Sequence, residues 1–318
     1  MTGSVSPLRA SAPSKTSLFE TGNDMIKVNR IVYGAFQTPD LEGQIDHYTK
    51  VMGLTEVECG NGAAYLSTSG DHQTVVLRKG PDAKCDAIGF QLAPGTDLDA
   101  YAKQIEAHGL KTIRQSDPQP GIRDAVVFED SKGTKMEVFV DAAPSGAGFQ
   151  PAGISPNKLG HIAFNCTDVQ ADVKFYCDIL GFKVSDWMGD FFAFLRCGPD
   201  HHTINLVAGQ KVKMHHIAFE LRDWTHIRDA CDWLAKDRIP LVWGPVRHGI
   251  GHNISTYHRN ADEQIIELYC ELDRVNEELG LYEPRRMHQE FPQRGKVWDD
   301  IQMAANMWGT PPPDGFLD

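Results

Sequence analysis

Residues 160–164 read Gly160-His161-Ile162-Ala163-Phe164, and residues 215–219 read His215-His216-Ile217-Ala218-Phe219. Each is a short apolar run of the kind that forms a buried strand. Each carries a histidine before the same Ile-Ala-Phe. The pattern occurs twice more, earlier in the chain: Val32-Tyr33-Gly34-Ala35-Phe36 precedes the first copy by 128 residues, and Asp86-Ala87-Ile88-Gly89-Phe90 precedes the second by 129. Three other segments repeat at nearly the same spacing. Tyr48–Gly53 matches Tyr176–Gly181, His72–Leu77 matches His201–Leu206, and Met136–Phe139 matches Ile266–Tyr269, at 128, 129 and 130 residues. A drift of only two residues over five matches marks a tandem duplication.

The spacing therefore predicts two copies of one module, at 27–142 and 158–273. A Gly-, Pro- and Ser-containing linker at 143–157 joins them. A flexible arm at 1–26 precedes the modules, and a tail at 274–318 follows. Each module is itself doubled. In the second copy the pattern reads strand Leu159–Cys166, helix Val169–Leu180 and three strands ending near Ala208. It then restarts with strand Met214–Leu221, helix Trp224–Asp237 and three further strands. The predicted class is α+β, built from paired βαβββ units in two tandem domains. Asp168 and Thr225 are the expected helix N-caps, and Gly181 the expected stop.

Composition narrows the function. Lys and Arg number 31 against 43 Asp and Glu, a net charge of −12. That balance disfavours a nucleic-acid partner, which requires cations to neutralise phosphates. No apolar run approaches the length of a membrane span. Seven cysteines, an odd number with no Cys-x-x-Cys pair, argue against a disulfide framework and fit a reducing, cytoplasmic setting.

Nine of the thirteen histidines lie between His161 and His258. His161 and His216 occupy equivalent first strands of the two half-modules. Glu267 sits between Ile266 and Leu268 in an apolar strand, where a carboxylate is costly unless paired or bound to a metal. Two imidazoles and one carboxylate make a facial ligand set with open positions. The counterparts in the first module are Tyr33, Ala87 and Glu137. Ala87 cannot ligate, so one metal per chain is expected. A turn centred on Asp262 would pair the strands on either side so that Tyr257 faces Glu267.

The segments GHIAF, HHTINL, MHHIAFEL and RHGIGHNISTYHRNADEQIIELY resemble the type I extradiol ring-cleaving dioxygenases of the vicinal oxygen chelate superfamily, such as the catechol 2,3-dioxygenases. The likeness runs over residues 27–273. It implies the glyoxalase/bleomycin resistance-like fold, with an inert first module and a catalytic second one. It also implies Fe(II), with Mn(II) as the other candidate, held by His161, His216 and Glu267. His201 would be the O2-side histidine, His248 a substrate-side histidine, and Tyr257 the tyrosine ten residues before the ligand Glu. The expected partners are a catechol and O2, with no nucleic acid or membrane, in a homo-oligomer. His202, His215 and His252 read as structural or peripheral. Arg285, Arg286 and Arg294 in the tail offer binding for a carboxylated catechol. One departure stands out: the turn before the ligand strand reads Asn260-Ala261-Asp262-Glu263-Gln264 rather than being rich in Pro and Gly. The rival readings are a glyoxalase-type isomerase or hydroquinone dioxygenase, and a small-molecule binding protein without catalysis.

Overall fold

The structure is a computed structural model that describes residues 25–68, 70–146, 152–285 and 290–317. Residues 1–24 of the expected arm, 147–151 of the expected linker and Arg286 lie outside the described residues.

The first sheet contains, in chain order, β1 (Val28–Thr38), β2 (Thr55–Gly60), β3 (Ala63–Ser67), β4 (Val75–Lys79), β5 (Lys84–Leu92), β6 (Ile113–Gln119), β7 (Ile122–Glu129) and β8 (Lys135–Phe139). The second contains β9 (Lys158–Cys166), β10 (Lys183–Met188), β11 (Phe192–Arg196), β12 (Ile204–Ala208), β13 (Lys213–Glu220), β14 (Trp243–Arg247), β15 (Ile254–Arg259) and β16 (Ile265–Cys270). The hydrogen-bonded order is β2-β3-β4-β1-β5-β8-β7-β6 in one sheet and β10-β11-β12-β9-β13-β16-β15-β14 in the other. Those orders are the same path, so the sequence repeat is a repeat of topology. A short tail strand, Val297–Trp298, adds to the edge of β10.

Helices Val169–Leu180 and Trp224–Lys236 cross one face of the second sheet. Ile162, Ile217, Ile266 and Leu268 point to that side and are fully buried, each contributing roughly 1.5–3 kcal/mol of burial. Asp168 caps the first helix by accepting from the Ala171 N–H, and Gly181 ends it in the left-handed conformation at φ 75°. The second helix is capped by Asp223, which accepts from the His226 N–H, and not by Thr225. Asp223 has the extended backbone a cap requires, while Thr225 already lies in the first turn.

Two irregularities aim the site. The β13–β9 register slips between Met214 and His216, so His215 is an extra residue. Such a bulge lets consecutive side chains, here His215 and His216, reach the same side. The first module carries the same slip, between Ala35/Ala87 and Phe36/Cys85. The β15–β16 hairpin closes without Pro or Gly because Asn260 Oδ1 accepts from the N–H groups of Asp262 and Gln264, at 3.0 and 2.9 Å. Glu263 takes the left-handed conformation at φ 60°. Tyr257 pairs directly with Glu267. His258 faces the other way and meets His47 of the first module, Nε2 to Nε2 at 3.3 Å. No described helix is long and apolar enough to cross a membrane.

Candidate metal centre

Side chains of paired residues share a sheet face. His161 pairs with Ala218, and Ala218 with Glu267; His216 pairs with Ala163 and Ile265. The three polar residues therefore emerge from three adjacent strands, β9, β13 and β16, on one face. The small neighbours Ala163 and Ala218 leave room between them. His161 Nε2 lies 3.1 Å from His216 Nε2 and 3.0 Å from Glu267 Oε2, and His216 Nε2 lies 3.1 Å from that oxygen. All three residues are buried, and they are the one group of three or more metal-ligating side chains gathered this closely among the described residues. Donors each about 2.1 Å from one cation and at right angles lie about 3.0 Å apart, so the observed spacing fits a facial triad.

The surroundings prepare the donor atoms of His216 and Glu267. Phe316 O can only accept, and it lies 2.6 Å from His215 Nε2, so that nitrogen carries the proton. His215 Nδ1 must then accept from His216 Nδ1 at 2.6 Å, which leaves the lone pair of His216 on Nε2. His215, read from the sequence as structural, thus fixes its neighbour's tautomer. Glu267 Oε1 accepts from Ser255 Oγ at 2.6 Å and Asn253 Nδ2 at 3.1 Å, freeing Oε2 for the triad. Burial alone would raise the Glu267 pKa, but His161 and His216 hold it well below the usual carboxylate range. Burial lowers the His161 pKa, with Glu267 opposing. Ser255 and Asn253 were missed in the sequence, although Ser255 shares its strand face with Tyr257 by simple alternation.

The triad opens into a cavity of about 460 Å³. Tyr257 and His248 stand on one side of it. His248 Nδ1 donates to Ala305 O at 2.6 Å, so its Nε2 accepts from the Tyr257 hydroxyl at 2.8 Å. On the opposite side the structure places His202, whose ring centroid is 4.3 Å from that of His161. His201 does not line the cavity. It turns inward, with Nε2 3.0 Å from Asp186 Oδ2 and Nδ1 2.9 Å from His202 Nδ1. Both histidines precede β12, where no strand alternation tells them apart.

The remaining walls are mostly apolar, with Asn205, Gln302, Asn306 and Thr310 as the neutral polar members. Phe192 and Phe194 stack at 4.5 Å beside Met188 and Ile250; Trp243 and Phe316 pack edge-on at 5.1 Å. The tail closes the top with Ile301, Ala305, Pro311 and Leu317. Among the described residues no Lys, Arg or Asp lines the cavity. Arg285 is bound to the main-chain oxygens of Glu271 and Leu272, and Arg294 is exposed. In the first module the equivalent space is filled: the Tyr33 hydroxyl donates to Glu137, and its ring stacks on Phe139.

Comparison with known proteins agrees with this architecture. The family model described as Glyoxalase/Bleomycin resistance protein/Dioxygenase superfamily matches residues 27–138 and again 158–268. The chain is 27% identical over 295 residues to a manganese-dependent 2,3-dihydroxybiphenyl 1,2-dioxygenase of Geobacillus genomosp. 3, covering 85% of this chain and 93% of that protein. It is 26% identical over 320 residues to metapyrocatechase 2 of Cupriavidus necator, covering 91% and 92%. Among solved structures, a Mn(II)-bound glyoxalase from Novosphingobium aromaticivorans superposes with a TM-score of 0.79 at 29% identity, covering 92% of this chain and 95% of that one. Homoprotocatechuate 2,3-dioxygenase from Brevibacterium fuscum shares the fold, with a TM-score of 0.79 at 24% identity over 92% of each chain. Twice matched along its length, the chain belongs to the glyoxalase/bleomycin resistance protein/dioxygenase superfamily.

Proposed function

We propose that the protein is an extradiol dioxygenase that opens a catecholic ring with O2, using one Fe(II) or Mn(II) held by His161, His216 and Glu267. The observation that carries this reading is the convergence of those three donors beside an apolar cavity that also holds Tyr257, His248 and His202. Curated relatives that span nearly all of the chain are dioxygenases of this type. A bound divalent ion supplies Lewis acidity toward both catechol oxygens and an open position for O2.

The chain's own groups then orient reactants and move protons. The Tyr257 hydroxyl already donates to His248 Nε2. As a catechol hydroxyl gives its proton to Tyr257 Oη, the tyrosine's own proton passes to His248 Nε2, and the reverse transfer along the same path gives a proton back to the product before it leaves. On the opposite side His202, not His201, takes the second hydroxyl proton at Nε2 and returns it to the oxygen that needs it during ring opening. Both atoms of O2 end in the product, so no other oxidant is required. The aromatic walls exclude water and hold the ring in one orientation.

Those walls also set the substituent. With no Lys or Arg among the described lining residues, a carboxylate on the ring would be buried without a cationic partner there, at a cost of several kcal/mol. The favoured substrates are catechols bearing neutral, apolar groups. The exposed aromatic pair Trp224–Trp308 supports homo-oligomeric assembly, and the free cysteines support a reducing, cytoplasmic setting.

The test is oxygen uptake after anaerobic Fe(II) or Mn(II) loading. Catechol, methyl- and phenyl-substituted catechols should consume one O2 per ring and give yellow ring-opened products. Their kcat/KM should exceed that of 3,4-dihydroxyphenylacetate by at least about 10-fold, given the burial cost. Full metal loading with no uptake on any catechol would overturn the reading in favour of an O2-independent isomerase.

A further inference from the structure

Asp186 is a fully buried carboxylate that ring opening does not itself require. It sits on β10 just after a register slip at Val184, and it is 1% exposed. Every polar contact the structure gives it is a donor or a histidine nitrogen. Lys296 N donates to Oδ1 at 2.7 Å and Trp298 Nε1 to Oδ2 at 3.1 Å, while His201 Nε2 lies 3.0 Å from Oδ2. His201 is equally buried, and its Nδ1 lies 2.9 Å from His202 Nδ1.

With both imidazoles neutral, the order of donors along this chain follows from valence. A carboxylate only accepts, so His201 Nε2 carries the proton. A neutral imidazole has one N–H, so His201 Nδ1 accepts. His202 Nδ1 must therefore donate, and the lone pair of His202 is left on Nε2, the nitrogen remaining for a ligand in the cavity. The same logic governs His216 through His215 and Phe316 O, and His248 through Ala305 O. In those two cases the anchor is a main-chain carbonyl; for His202 it is an anion.

We propose that Asp186 and His201 are a positioning pair, which sets the tautomer and ring orientation of His202 and so decides which of its nitrogens meets the reactants. The catalytic consequence rests on the ring-cleavage reading above; the tautomer itself does not. His201, placed at the reacting oxygen by the sequence, thus acts one residue further back.

Two measurements separate these levels. Long-range 1H–15N spectra of histidine-labelled protein without metal should show His202 as the Nδ1–H tautomer. In His201→Leu and Asp186→Asn that preference should be lost. With metal-loaded protein and a catechol that is turned over, His201→Leu should lower kcat by about 10–100-fold, the cost of an outer-shell partner, while metal content and KM stay within about 3-fold. His201→Gln, whose amide can donate to Asp186 and accept from His202, should recover most of that loss. A wild-type His202 protonated at Nε2, or a tautomer indifferent to both substitutions, would overturn the proposal even if the protein cleaves catechols. Correct tautomers without any catechol turnover would instead count against the proposed function. If His201→Leu fails to fold, Asp186→Asn carries both readouts.

Discussion

Glu267→Gln should lose metal binding by more than about 100-fold and with it all turnover, yet keep the fold. The substitution preserves shape and replaces one carboxylate oxygen by an N–H2 group. Whichever way the amide turns, Ser255 and Asn253 or the two imidazoles meet a changed partner. The loss should exceed the 10–100-fold typical of an outer-shell partner, because Glu267 contributes the only negative charge of the triad. His215→Ala provides the comparison: it removes the group that fixes His216 Nε2, and its loss should stay within that 10–100-fold range. The metal-free Glu267→Gln protein should melt below the metal-free wild type, since the depressed Glu267 pKa shows that the fold favours the ionised carboxylate, which the amide cannot replace between the two imidazoles, Ser255 and Asn253. Chelator competition gives the affinities and calorimetry the melting temperatures. An unchanged affinity would remove Glu267 from the ligand set.

Removing residues 301–318 should cost kcat/KM between about 10²- and 10⁴-fold, two outer-shell partners lost together. This segment supplies the carbonyls of Ala305 and Phe316, which hold His248 and His215. It also supplies the cavity wall at Ile301, Ala305, Pro311 and Leu317. The segment is stitched to the second module by Ala304 O, which accepts from the N–H groups of Gly249 and Ile250, and by Leu317 O, which accepts from Asn165 Nδ2. The helix-covered core lies on the other sheet face, so circular dichroism should show an intact fold. Steady-state kinetics of the truncated protein would expose a merely decorative tail as nearly full activity.

The legible parts of this molecule were those written in periodicity. The tandem duplication followed from segments recurring at nearly constant spacing. The alignment of His216 rather than His215 with His161 followed from the shared Ile-Ala-Phe, and the Tyr257–Glu267 pairing from strand alternation through a turn at Asp262. The errors fell where periodicity stops. His201 and His202 lie before β12 begins, and the neighbour favoured from the sequence is the one that does not line the cavity. Thr225 is as good a cap by type as Asp223, and only the backbone distinguishes them. The carbonyls of Ala305 and Phe316 could not be foreseen, because any residue supplies a main-chain oxygen. Asp186 sits between Ser185 and Trp187 with no sign that a bulge turns it toward His201.

The most direct measurement is anomalous diffraction from crystals loaded with Fe(II) or Mn(II). The account predicts one peak per chain, about 2.1 Å from His161 Nε2, His216 Nε2 and Glu267 Oε2, with the side toward the cavity free of protein donors. A peak elsewhere, or a fourth side chain closing that side, would contradict it.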